Sequence, residues 1–81
     1  MHTHSDDTLL THLRSASAAL QRSQVRAACQ ALRHAEQCAT RDGSERLAGY
    51  LDLTLGTARD GCVSCARTSI DVLIRTIEST P

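Results

Sequence analysis

The chain has 81 residues, with nine Arg, no Lys and nine Asp plus Glu, so its formal charge is zero. It is 41% hydrophobic, with Tyr50 as its one aromatic residue and Pro81 as its one proline. These figures exclude charge-driven disorder and a membrane span of about 18 apolar residues, and the opening Met-His-Thr-His-Ser-Asp-Asp has neither the basic start nor the apolar segment of a secretory signal.

The first predicted helix covers about residues 6–21, with Ser5 as its N-cap and Asp6 and Asp7 favouring the positive end of the dipole. Residues 1–5 are expected to be flexible, and His2 and His4 to bind nickel or copper only adventitiously. Leu9, Leu13, Ala16 and Leu20 share one face, which Leu10 and Ser17 widen. A break at Arg22-Ser23 precedes a second helix over about 24–41. There Val25, Ala28, Leu32, Ala35 and Ala39 step by three and four, the helical period. Ala27, Ala31 and Cys38 form a strip of small residues beside that stripe. His34 lies off it and reads as solvent-exposed. Arg22, Arg26, Gln30, Arg33 and Gln37 take the solvated side.

Asp42-Gly43-Ser44 and Asp60-Gly61 are turn signals. Gly at the position after a helix takes the left-handed conformation without a Cβ clash, and Ser44 can cap the third helix. Arg-Asp-Gly recurs at 41–43 and 59–61 with unmatched flanks, which reads as one turn solution used twice. The third helix, over 45–59, buries Leu47, Leu51, Thr54 and Ala58, flanked by Ala48 and Leu55. Gly49 and Gly56 cost it about 1 kcal/mol each relative to Ala, so they either admit a neighbouring backbone or bend the helix. Leu53 falls on another side and is a candidate association contact. The fourth helix, over 63–79, has the most apolar face: Val63, Ala66, Ile70, Leu73, Ile74 and Ile77. Asp71 and Arg75 have the spacing of a favourable ion pair.

No alternating β-branched run suggests a strand. Short connections make consecutive helices antiparallel, so the expectation is a single all-α domain over 1–81, a small antiparallel four-helix bundle. A three-helix core with a loose N-terminal helix is the alternative. Leu, Ile and Val number sixteen, without Phe or Trp. A thin core of this kind implies a stability of about 4–12 kcal/mol, in the lower half unless the chain associates.

The four cysteines are Cys29, Cys38, Cys62 and Cys65. Nine residues, about 180° of rotation, separate Cys29 and Cys38 on a helix, so they lie on opposite flanks. Cys62 and Cys65 share a face at the start of the fourth helix. In an up-down-up-down bundle Cys29 comes nearer to that pair than Cys38 does. Free Cys commonly serves as a small apolar filler. The alternatives are a redox pair at Cys62/Cys65, favoured by the helix dipole, a metal site of Cys62, Cys65 and Cys29, and a structural disulfide, most readily one involving Cys29. A thioredoxin-like enzyme also needs a strand and a cis-proline loop. Zinc needs four ligands, of which C-x2-C supplies two. A cytosolic location, which the lack of a signal sequence suggests, argues against a persistent disulfide.

Arg22, Arg26 and Arg33 are the candidate nucleic-acid face. Zero net charge and no interleaved aromatic make it a weak one. A face of this kind also suits an acidic protein partner. Neither a G-x-S-x-G elbow nor a phosphate-cradling glycine loop is present, and His34 lacks the Lys-Gly that follows a phosphotransfer histidine. The sequence therefore reads as a non-enzymatic, cytoplasmic interaction or regulatory module. A protein partner and a homodimer through Leu53 are expected, with no cofactor, no small-molecule substrate and no membrane association. A thiol-redox or metal-sensing protein is the alternative. The all-Arg, Ala-rich usage points to a GC-rich bacterial genome.

Overall fold

A computed structural model describes residues 4–79, with side chains from residue 8 onward. Four helices succeed one another: α1 His4–Gln21, α2 Val25–Arg41, α3 Glu45–Arg59 and α4 Val63–Ser79. No strand occurs among the described residues. Helix α1 packs on α2 and α4, and α3 packs on α2 and α4. Every helix thus has two neighbours, and the bundle is closed. The expected four-helix bundle forms, and the alternative with a loose first helix does not, because Leu9, Leu13, Ala16, Ala19 and Leu20 of α1 are all buried. No described helix is long and apolar enough to cross a membrane.

Three connections of identical design fold the chain back. After α1, the Gln24 N–H donates to the Ala19 carbonyl at 2.8 Å and the Ser23 N–H to Leu20 at 3.0 Å. After α2, Ser44 donates to Ala39 and Gly43 to Thr40; after α3, Cys62 donates to Thr57 and Gly61 to Ala58. These paired bonds satisfy carbonyls that a helix end leaves free, with the penultimate turn residue left-handed. That residue is Ser23 (φ 59°), Gly43 (φ 80°) or Gly61 (φ 91°). The last residue of each turn is also the N-cap of the next helix, since Gln24, Ser44 and Cys62 accept from the N–H groups of Ala28, Ala48 and Ala66. Such a short reversal has room only for an antiparallel neighbour.

The expected stripes form the core. Leu13, Leu20, Leu32, Leu51 and Ile70 are its largest fully buried side chains, each contributing roughly 1.5–3 kcal/mol of transfer energy. Ala28, Ala35 and Ala39 of α2 are buried around Leu32. Small side chains let helix axes approach toward the lower end of about 8–10 Å, and α2 is the helix packed most closely on its neighbours.

Some local expectations are corrected. Helix α1 begins at His4, so Ser5 lies within the helix and not at its N-cap. His4 and Ser5, expected in a flexible lead, are helical; the rest of that lead, with His2, lies outside the described residues. Ser44 occupies the N-cap of α3, but its side chain makes no capping bond. Ala27 is exposed, while Ala31 and Cys38 of the same strip pack against the core. Asp71 forms no ion pair with Arg75. It accepts a long hydrogen bond of 3.4 Å from the Ser17 hydroxyl, because its flank of α4 faces α1. Two turns further along α4, Glu78 pairs with Arg14 of α1.

Candidate functional site

The outer surface of α3 is built by the same period that builds the core. Leu51 is buried, and Leu53, two residues on, is turned about 160° away from it. Leu53 is 73% exposed. Gly49 and Gly56 stand one turn before and one turn after Leu53 on the same side. A Cβ built on either glycine meets nothing within 4 Å. Neither glycine therefore admits a neighbouring helix within the monomer, which removes one of the two reasons expected for them. Arg46 and Asp60, both exposed, lie seven residues on either side of Leu53.

Among the described residues the large exposed hydrophobic ones are Tyr50 (37%), Leu53 and Val72 (50%), all on α3 and α4. Tyr50 lies one turn from Leu53, on the flank that faces α4. Its hydroxyl donates to the Ser69 carbonyl at 3.4 Å, one turn from Val72. Tyr50 thus bridges the α3–α4 seam between the exposed flanks that carry Leu53 and Val72. Beside it, Tyr50 lines an open groove with Leu47 and Leu73 and with the polar start of α3, Ser44 to Arg46. The periodicity singled out Leu53 alone. Tyr50 and Val72 join it only because α4 folds back against that flank.

The cysteines divide into two kinds. Cys29 and Cys38 are free, half-buried and packed against the core, as small apolar fillers are. Cys62 and Cys65 are joined as a disulfide, with Cα atoms 5.4 Å apart. The sequence offers a metal site of Cys29, Cys62 and Cys65 only as an alternative to apolar filling. Two of its sulfurs are bonded to each other, and among the described residues no three His, Cys, Asp or Glu side chains are placed to hold a metal ion. A structural disulfide is the alternative that most readily involves Cys29; the bridge present joins Cys62 to Cys65 instead. His12 and His34 bring their rings to 5.3 Å across α1 and α2, with His34 exposed as expected.

The arginine face is rearranged by the fold. Arg26 and Arg33 line an open groove between α2 and α3 with Val25, Cys29 and Gln30, and Arg59 of α3 joins them. Arg22, at the first turn, does not line it. Arg59 is not legible in the sequence as part of this face, because its nearness to α2 arises only from packing. No aromatic side chain offers a stacking surface there.

Comparison with protein-family models, curated proteins and solved structures gives no match.

Proposed function

We propose that the chain is a non-enzymatic, regulatory interaction module of the bacterial cytoplasm that self-associates through the outer face of α3. One observation carries the reading: among the described residues the large exposed hydrophobic side chains all belong to α3 and α4, and Leu53 is the most exposed of them. Two further features favour a second copy of the chain as the occupant. Glycine on both sides of Leu53 leaves bare backbone onto which another helix can close. Arg46 and Asp60 are equidistant from Leu53. An antiparallel pair of α3 helices with a two-fold axis at Leu53 therefore sets Arg46 of each copy opposite Asp60 of the other, the reciprocal arrangement that two-fold symmetry requires. Opposite charges so placed fix register and orientation.

Sedimentation equilibrium at tens to hundreds of micromolar is the test. The expected result is a reversible monomer–dimer equilibrium that Leu53→Glu abolishes. Arg46→Asp should weaken it at least tenfold, and Arg46→Asp combined with Asp60→Arg should restore it. A single 8.8 kDa species throughout this range rejects the reading. A dimer indifferent to Leu53→Glu places the interface elsewhere and rejects it equally.

A further inference from the structure

We infer that Cys62 and Cys65 form a reactive dithiol–disulfide couple that exchanges with low-molecular-weight thiols, with Cys65 as the sulfur attacked. The inference is independent of association through α3. It begins from the last turn. Cys62 closes the carbonyl motif of α3 through its N–H and accepts the first intrahelical bond of α4, from Ala66, through its carbonyl. It is therefore the N-cap of α4, and Cys65 is the third residue of the helix. Disulfide and turn are built from the same residues, so the pair is held at the mouth of a 17-residue helix.

The two sulfurs are not equivalent. Cys65 is exposed and Cys62 is half-buried, so an incoming thiolate reaches Cys65 more readily. Attack there forms a bond between the incoming sulfur and Cys65 Sγ and breaks the Cys62–Cys65 bond. The electron pair leaves on Cys62 Sγ. That sulfur is at the N-cap, where first-turn N–H groups have no carbonyl partner inside the helix and the dipole favours negative charge. A thiolate so placed is a good leaving group, and low leaving-group basicity speeds exchange. A proton from solvent completes the Cys62 thiol. A second thiol then attacks the mixed disulfide at the small-molecule sulfur. It releases Cys65 as a thiol and the small molecule as its own disulfide. The sum is two thiols oxidised to one disulfide and one protein disulfide reduced to two thiols. Cys29 and Cys38, half-buried and packed on the core, serve as internal controls.

Reduced glutathione is the probe. The oxidised full-length protein is incubated with it anaerobically, quenched with acid and mapped by tandem mass spectrometry. The expected outcome is a transient adduct carrying one glutathione on Cys65, then free thiols at 62 and 65, and closure of the pair again with oxidised glutathione. Cys62→Ser has no disulfide for reduced glutathione to attack; with oxidised glutathione its Cys65 should form a mixed disulfide, releasing one glutathione thiol, and that adduct should persist because no neighbouring thiol displaces it. The Cys65 thiol should react with oxidised glutathione at least tenfold faster than Cys29 or Cys38. Circular dichroism establishes that the variant is folded, and the wild-type arm stands without it. An adduct on Cys62, a pair inert to glutathione in the folded protein, or thiols at 62 and 65 that do not close on oxidation would each overturn the inference.

Discussion

Three residues in left-handed conformation decide where this chain reverses, and one of them is the wrong chemical type. Gly43 and Gly61 take positive φ without a Cβ penalty, whereas Ser23 sits at φ 59° with a side chain. A non-glycine residue there costs roughly 1–2 kcal/mol, partly offset because glycine loses more backbone entropy on folding. Ser23→Gly should therefore stabilise the fold by about 0.5–1 kcal/mol, read as a higher urea midpoint at unchanged slope. Gly43→Ala should destabilise by a similar amount or more. If Ser23→Gly instead lowers the midpoint, the first turn does not have the conformation of the other two. The two Arg-Asp-Gly turns and the Arg22-Ser23 break are all visible in the sequence as turn chemistry. That the three close with the same pair of hydrogen bonds is not, because serine does not advertise a left-handed residue as glycine does.

At the scale of the helix, what faces inward was legible and what happens outside was not. The stripes through Leu13, Leu32, Leu51 and Ile70 repeat at three and four, and burial obeys that period. The bounds of α3 and α4 were fixed by Gly43-Ser44 and Gly61-Cys62, because turn residues end helices for local reasons. Outer faces obey no such rule. Arg59 lines one groove with Arg26 and Arg33, and Tyr50 reaches Ser69, only through packing between helices. Gly49 and Gly56 show the difference most directly. Nothing lies within 4 Å of a Cβ on either, so Gly→Ala at both should strengthen α3. The gain is about 0.5–1 kcal/mol per site from helix propensity, measured by denaturant unfolding of dilute protein. The same double substitution should weaken self-association, because each added methyl holds the second α3 away. Higher monomer stability with unchanged dimer affinity would mean that the glycines do not line the interface. A loss of monomer stability would mean that they serve the fold.

For the whole molecule, closure of the ring matters most. Consecutive helices form hairpins whose contacts are local, which favours fast folding, and only the α1–α4 seam joins the two ends of the chain. That seam is marked by the Arg14–Glu78 pair and by Ser17 with Asp71. These contacts are largely exposed and contribute about 0–1 kcal/mol, so the apolar residues of α1 and α4 must hold it. Among the described residues seven of the fifteen buried hydrophobic ones are alanine, each burying little area, and the fold has small reserves. A molecule so balanced gains measurably from a partner that binds only its folded form. At a concentration about ten times the dissociation constant, mass action adds roughly 1.4 kcal/mol. In a domain of this size each kcal/mol raises the unfolding temperature by about 4–8 °C. Thermal unfolding monitored at about 5 and 500 μM should therefore shift upward by several degrees for the wild-type chain, while Leu53→Glu should unfold at one temperature at both concentrations. Equal midpoints for the wild type would show that the bundle stands alone, and that the exposed leucine at the centre of α3 contributes nothing to its stability.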